Sequence, residues 1–420
     1  MTLYFTHNPN QNIKNINKHA VLDLIRFTPG GIARAGIAKQ IGLSRAAVST
    51  IVNDLIETGI IRNTEQRTKT SGRPRTLLEI DPDAGYIAGI DMGATHMRVV
   101  LTDFSAKAIA EKEISIDIAK GPDFCIAQTN ELLENLLLEN DLSLPKLAAI
   151  GVGVPGPIDS EAGMVIAPPI MPGWDRFPIR QTLEKLWGRP VSVNNDAELG
   201  ALGEWVYGAG RGMRDLAYIK VGSGIGAGLL IDGRIYRGST GSAGEIGHLT
   251  MDNDGPLCTC GNRGCLEAFS GGHAIAKRAL EAVQAGKRTQ LSQMKPDDLT
   301  AKDVAAAARR GDLVAQQVMA EAGEHLGVAM AGLVNIFNPD IIVVGGGVAQ
   351  IGDLFLEPIR RTVTQRSLPA AADSVRITTA VLGRRSSSLG AVVQALSLAV
   401  HDIAEGKQVS ILQSMPDVVA

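Results

Sequence analysis

Apolar residues first recur at helical spacing close to the N-terminus. Ala20, Val21, Leu24 and Ile25 share one face of a helix between Asn17 and Phe27. Ile37, Ala38 and Ile41 mark a second short helix from about Ala33 to Ile41. Gly42, Leu43 and Ser44 then form a tight turn ending in an N-cap residue. A third helix carries Val48, Ile51, Val52, Leu55 and Ile56 at spacings i, i+3, i+4, i+7 and i+8. Ala38 and Gly42, four residues apart, suit a helix-turn-helix in which small residues let two helices approach. Ile60 to Arg62 and Leu77 to Ile80 read as two short strands around the polar stretch Asn63–Arg75, which makes a wing.

The polar side of the third helix presents Ser44, Arg45, Ser49, Thr50 and Asn53, short or basic hydrogen-bonding groups suited to a DNA groove. Arg45 is the candidate for a bidentate contact to guanine, and the others reach bases or phosphates. The wing adds Arg67, Lys69, Arg73 and Arg75, which suit phosphates or a minor groove. Charge agrees with this reading. Residues 1–80 hold four lysines and seven arginines against two aspartates and three glutamates, a formal +6, whereas the whole chain carries −3 and the remainder −9. The near-neutral total therefore does not exclude nucleic acid. The plainer alternative is a three-helix packing module with no DNA partner.

Beyond residue 80 the pattern changes to apolar strands that run into glycine-rich turns. Tyr86 to Ile90 leads into Asp91-Met-Gly93-Ala-Thr95, with a second strand at Met97 to Thr102. Tyr218 to Val221 leads into Gly222-Ser-Gly224-Ile-Gly226-Ala-Gly228, and Ile341 to Val344 into Gly345-Gly346-Gly347. Such turns bring backbone N–H groups close to phosphate oxygens, although ordinary tight turns use glycine too. None has the full P-loop or dinucleotide signature, so the three together point to a nucleotide cleft or its descendant.

A strand at Val191–Val193 runs into Asn194-Asn195-Asp196-Ala-Glu198 at the start of a helix. Asp196 there either caps the helix or serves as a carboxylate that accepts a hydrogen bond or a proton from a sugar hydroxyl. Glu245 and Glu267 supply two more acceptors, as a neutral polyhydroxyl ligand requires.

Three of the four cysteines stand within eight positions. With His248 they read His-x9-Cys258-x-Cys260-x4-Cys265, three sulfurs and one imidazole that fit tetrahedral Zn2+ with no open position, hence a structural ion. Gly261 and Gly264 let the loop fold tightly around it. Such a cluster belongs to a reducing compartment, and Cys125 reads as an ordinary small apolar residue. Met1 to Ala20 lacks the charged-then-apolar pattern of a signal peptide, and the most apolar run, around Val328 to Val344, is broken by Asn335, Asn338, Pro339 and Asp340. A cytoplasmic chain with no membrane partner is expected.

Taken together these residues resemble the ROK family of sugar-responsive repressors and sugar kinases, over about residues 10–400. The most specific pieces are Cys258-Thr-Cys-Gly-Asn-Arg-Gly-Cys-Leu-Glu267, Gly244-Glu-Ile-Gly-His248 and the run Pro155-Gly-Pro-Ile-Asp159 to Pro172-Gly-Trp174. An N-terminal winged helix-turn-helix ahead of that body is similar to the repressor branch. The resemblance implies an α/β two-lobed actin/hexokinase-like body. The expected organisation is a DNA-binding domain over 1–80, a small lobe over 81–195 plus a C-terminal helix at about 387–404, and a large lobe over 196–386 with the zinc site. By motif, Asn195, Asp196, Glu245, His248 and Glu267 would bind a sugar effector, with Gly156 close by. Asp91, Gly93, Thr95, Gly222, Gly224, Gly226, Gly345 and Gly346 would be the nucleotide parts of a kinase. Ile170 stands where family kinases commonly have Asn. The expected partners are operator DNA, a sugar and further copies of the chain, as a dimer or tetramer. The alternative is an ATP-dependent sugar kinase using Mg-ATP, with Asp196 as base. A third possibility, a purely structural zinc scaffold, would bind neither DNA nor sugar.

Overall fold

In a computed structural model of the chain, residues 13–26, 28, 30–66, 75–168 and 170–404 are described. The N-terminal unit holds helices α1 (Ile13–Arg26), α2 (Arg34–Ile41) and α3 (Arg45–Glu57), then strands β1 (Ile61–Gln66) and β2 (Arg75–Ile80). The Ser44 hydroxyl accepts a 3.2 Å hydrogen bond from the Ala47 N–H and so caps α3, as the turn predicts. Gly42 differs from expectation. A Cβ there would meet nothing within 4 Å, so close helix approach is not why the residue is glycine. Its φ of +72° ends α2 in the left-handed region, with its N–H bonded to the Ala38 carbonyl at 3.1 Å.

The wing strands run longer than their apolar residues suggest. Their antiparallel ladder continues from Ile61 opposite Ile80 through the polar pairs to Gln66 opposite Arg75. Ile32 adds a third, single-residue strand by exchanging two backbone hydrogen bonds with Leu78. Arg67, Lys69 and Arg73 of the expected wing lie outside the described residues, and for Arg75 only the backbone is described.

A first five-stranded sheet contains β3 (Tyr86–Met92), β4 (His96–Asp103), β5 (Ala108–Ser115), β6 (Leu147–Val154) and, after the two-residue pair β7 (Ile158–Asp159) and β8 (Met164–Val165), β9 (Val191–Asn195). Helices α4 (Pro122–Leu138) and α5 (Ile179–Trp187) fall within this stretch, and α6 (Asp196–Tyr207) follows it. The second sheet contains β10 (Leu216–Val221), β11 (Ile225–Ile231), β12 (Arg234–Tyr236), β13 (Ile341–Gly345) and β14 (Arg376–Thr379). Among its connections lie α7 (Glu267–Ser270), α8 (Gly272–Gln284), α9 (Ala301–Arg309), α10 (Leu313–Phe337), α11 (Asp353–Arg366) and α12 (Pro369–Ser374). The strand orders, β5-β4-β3-β6-β9 and β12-β11-β10-β13-β14, are the same pattern used twice: an antiparallel three-strand meander extended by two parallel strands.

The last described helix, α13 (Ser386–Ala404), is seated by glycines. A Cβ on Gly89 of β3 would stand 2.2 Å from the Ser388 carbonyl, one on Gly151 of β6 2.1 Å from that of Ala391, and one on Gly203 of α6 2.2 Å from that of Ser386. These three glycines let one helix lie against the first sheet and α6. The other end of α13 meets the N-terminal unit. Val392, Leu396 and Val400 join Val21, Ile25, Val48 and Leu55 in one buried apolar cluster, so the hydrophobic core does not stop at residue 80. Among the described residues no helix is long and apolar enough to cross a membrane.

Candidate functional site

A cavity of about 650 Å³ is lined by the C-terminal ends of β3, β9 and β10 together with the loops that follow them. Asn195, Asp196, Glu245, His248 and Glu267, which lie up to 72 positions apart in sequence, all line it, as do Gly156 and Ile170. The local cap of α6 is Asn195, not Asp196. Its Oδ1 accepts from the N–H groups of Ala197 at 2.8 Å and Glu198 at 3.2 Å, and its Nδ2 donates to the Gly156 carbonyl at 2.9 Å. This leaves the Asp196 carboxylate, in the first turn, for the cavity.

Glu267 is fixed at both oxygens. Oε2 accepts from the Ile225 N–H at 3.0 Å and Oε1 from the Thr259 hydroxyl at 3.0 Å. Gly224 provides the room, since a Cβ there would lie 2.2 Å from Oε2. Glu198, absent from the expected site, also lines the cavity and pairs with Arg237 Nε at 3.0 Å. Burial raises the carboxyls of Glu198 and Glu245, opposed by Arg237 and His248 respectively. The result is a ring of acceptors around one cavity, which suits hydroxyl groups better than an anion.

The metal motif closes on itself. The ligand atoms of His248, Cys258, Cys260 and Cys265 all lie within 4.8 Å of one another. Cys260 Sγ and Cys265 Sγ are 3.7 Å apart, and His248 Nδ1 is 3.7 Å from Cys258 Sγ. A tetrahedral ion with Zn–S of about 2.3 Å and Zn–N of about 2.0–2.1 Å gives edges of about 3.6–3.8 Å, which these two separations match. Gly261 and Gly264 have φ of +91° and +67°, which explains both glycines. With Nδ1 turned to the sulfurs, His248 Nε2 lies 4.0 Å from Glu245 Oε2, which joins the cluster to the acceptor ring.

Asp91, Gly93, Thr95, Gly222, Gly224, Gly226 and Gly346 line the same cavity, whereas Gly345 does not. A Cβ on Gly345 would lie 2.2 Å from the Tyr218 hydroxyl, and one on Gly346 2.3 Å from the Val221 carbonyl. Those two glycines are explained by packing against β10. One residue of this region carried no expectation: Lys220, whose ammonium lies 2.8 Å from Asp196 Oδ2 and 3.5 Å from Asp91 Oδ1. Its signal in the sequence is a lone charge in the apolar strand Leu216-Ala-Tyr-Ile-Lys-Val221. Burial favours a neutral amine at Lys220, but the charges of Asp196 and Asp91 outweigh it and raise its pKa. Burial pushes Asp91 up, yet Lys220 and the His96 hydrogen bond hold it at about 2.

At the N-terminal unit, Ser44, Arg45, Thr50 and Asn53 are exposed on α3, and Ser49 is partly buried between them. The Ser44 hydroxyl is already engaged as the cap, and the Thr50 hydroxyl donates to the Ala46 carbonyl at 3.2 Å. Arg45 and Asn53 are the longer polar side chains of this exposed face.

Comparison with known proteins agrees with both halves. The ROK family model matches residues 87–397, and a winged helix-turn-helix DNA-binding model matches residues 14–62. The xylose repressor of Caldicellulosiruptor bescii is 33% identical over 386 residues, 92% of this chain and 96% of its own. The crystal structure of a ROK family transcriptional regulator, a homolog of the E. coli MLC protein, has a TM-score of 0.80 at 27% identity, covering 95% of this chain and 99% of its own. A ROK family glucokinase from Streptomyces griseus, solved with glucose and AMPPNP, has a TM-score of 0.68 at 28% identity, covering 74% of this chain and 99% of its own. The kinase has no counterpart to about a quarter of the chain, whereas the regulator spans nearly all of it. The chain belongs to the ROK family and carries the DNA-binding unit of its transcriptional regulators.

Proposed function

We propose that the chain is a sugar-responsive transcriptional repressor, and that a neutral sugar bound by Asn195, Asp196, Glu245, His248 and Glu267 alters its affinity for operator DNA. The observation that carries this reading is α13, one helix that touches both sites. At its start the Ser387 hydroxyl donates to the Asp196 carbonyl at 2.8 Å. Toward its end it packs on α1 of the DNA-binding unit. Its 19 residues span about 28 Å, so a small tilt at the cavity becomes a displacement at the reader.

In this reading Arg45 contacts a base edge from α3, with Ser44, Ser49, Thr50 and Asn53 around it, while Arg73 and Arg75 hold phosphates. The chain acts as a homodimer or tetramer in the cytoplasm, so that two readers meet the half-sites of a palindrome. A structural Zn2+ on His248, Cys258, Cys260 and Cys265 would fix the loop whose Thr259 holds Glu267, and would supply no step of its own. A sugar shifts such an equilibrium only by its differential affinity for the two states; a reversal from 99:1 to 1:99 needs about 5.5 kcal/mol.

A gel shift on DNA upstream of the chain's own coding region, titrated with pentoses, hexoses and amino sugars, tests the reading. Loss of the complex with one of these sugars supports it. A complex indifferent to all of them refutes it.

The second reading is an ATP-dependent sugar kinase, with Asp196 as base and Asp91 at the magnesium. The likeness to a glucokinase over 99% of that protein favours it. The donor set does not. Both oxygens of Asp91 already face nitrogen atoms, Oδ1 toward Lys220 and Oδ2 toward His96 at 3.2 Å, so Mg-ATP does not fit the residues present.

A further inference from the structure

Lys220 reaches out of the second sheet to touch the first. It sits on β10, and its ammonium contacts Asp91 on β3 at 3.5 Å, Asp196 on α6 at 2.8 Å and Ser387 on α13 at 3.3 Å. An ammonium has three hydrogens, and here it has three acceptors, so its bonding is complete without a ligand. Its side chain is only 14% exposed, against 12% for Asp196 and 2% for Asp91. Beside it His96 lies over Gly93, where a Cβ would come within 2.5 Å of the imidazole.

Phosphoryl transfer to a sugar asks for something else at this spot. A divalent cation must neutralise the phosphates, held by carboxylate oxygens at about 2.0–2.1 Å, and a carboxylate must take the hydroxyl proton. A fixed ammonium between the two carboxylates repels such a cation at a range of a few ångströms. Burial raises the Asp196 carboxyl, and the Lys220 ammonium opposes that rise.

We propose that Lys220 is a built-in monovalent cation standing where a kinase would hold a divalent one, so that this cleft binds a sugar hydroxyl at Asp196 without transferring phosphate to it. The inference rests on the reading of the cavity as a sugar site, and makes Lys220 the residue that separates recognition from chemistry. Asp91, whose role as a metal ligand is thereby lost, becomes an anchor for Lys220. The same ammonium ties both sheets to the start of α13, so what fills the cation position also belongs to the path toward the reader.

The test is Mn2+ binding in the presence of AMPPNP, followed by electron paramagnetic resonance, for the wild type, Lys220→Met and Lys220→Arg. Lys220→Met keeps the volume and removes the charge, and is expected to bind Mn2+ roughly tenfold or more tightly than wild type. The gain should vanish in the double variant Lys220→Met, Asp91→Asn. Lys220→Arg, which keeps the charge, should stay with the wild type. Equal Mn2+ binding by wild type and Lys220→Met would overturn the proposal. So would sugar-dependent ADP release from Mg-ATP by the wild type, a measurement independent of how any variant folds. Operator binding is read separately: a wild type that shifts no DNA removes the repressor reading and leaves the Lys220 result standing.

Discussion

The guanidinium of Arg26, at the end of α1, donates a 3.0 Å hydrogen bond to the Ser397 hydroxyl on α13. A second bond, at 3.1 Å, runs to the Val393 carbonyl. One turn further along, the His19 and His401 rings meet edge to face with centroids 4.5 Å apart. The seam between reader and body is thus polar as well as apolar, and has a geometry that a moving helix would break.

Arg26→Met keeps the aliphatic stem and removes both bonds, at a cost of about 1–3 kcal/mol in stability. Sugar affinity is expected to stay near wild type while the sugar's effect on operator binding shrinks. Operator titrations with and without sugar check this. An undiminished response would mean that the signal bypasses this seam.

The exposed face of α3 makes a prediction that separates two kinds of contact. Arg45→Ala is expected to cost about 1–3 kcal/mol at the preferred operator and to relax the preference at one base pair. Arg73→Ala should weaken binding to every sequence alike and lower the slope of log affinity against log salt by about one. Binding to a set of single-base operator variants at several salt concentrations distinguishes them. Full selectivity in Arg45→Ala would place the recognition face elsewhere.

Much of this face was legible in sequence because its signals are local. The third helix announces itself by apolar spacing and by Ser44, and the cysteine loop by its spacing alone. What remained hidden depends on distant chain segments. The Ile32–Leu78 bridge is a single residue with no periodicity to betray it. Glycines 89, 151 and 203 look like ordinary strand or helix residues until α13 arrives from some 185 to 300 positions away in the chain. Asn195 and Asp196 are equally good helix caps on paper, and the choice follows from the Gly156 carbonyl that takes the Asn195 amide. Lys220 is one charge in an apolar strand, meaningful only once Asp91 and Asp196 face it. The crowding of Gly345 and Gly346 against β10 was hidden for the same reason, while Gly346 also lines the cavity.

Metal content gives a third prediction. Atomic emission should find one zinc ion per chain, lost in Cys258→Ser, with a large fall in stability because the cluster's free energy of binding is part of folding. Sugar binding should fall with it, since Thr259 in the same loop holds Glu267. A metal-free chain that stays folded and binds sugar normally would contradict the assignment.

Acidity supplies the fourth. Burial pushes the Asp23 carboxyl on α1 up to about 7, against the pull of Arg26. The unfolded value is about 3.9, so the folded state binds this proton more tightly, and stability falls as pH rises from about 4 to about 7. Asp23→Asn removes the penalty. The variant is expected to exceed wild type in stability most at pH values above about 7 and to lose much of that advantage by about pH 5. Urea midpoints measured across this range check it, and an advantage independent of pH would be the contrary result.

Coupling between the cavity and the reader is the central claim, and thermodynamic linkage tests it most directly. If a sugar weakens operator binding by some factor, the operator must weaken binding of that sugar by the same factor. Calorimetric titration of the sugar into the protein alone and into its saturated operator complex measures this. The expected result is a Kd raised in the complex by the factor seen in the DNA titration; the same sugar Kd in both would contradict it.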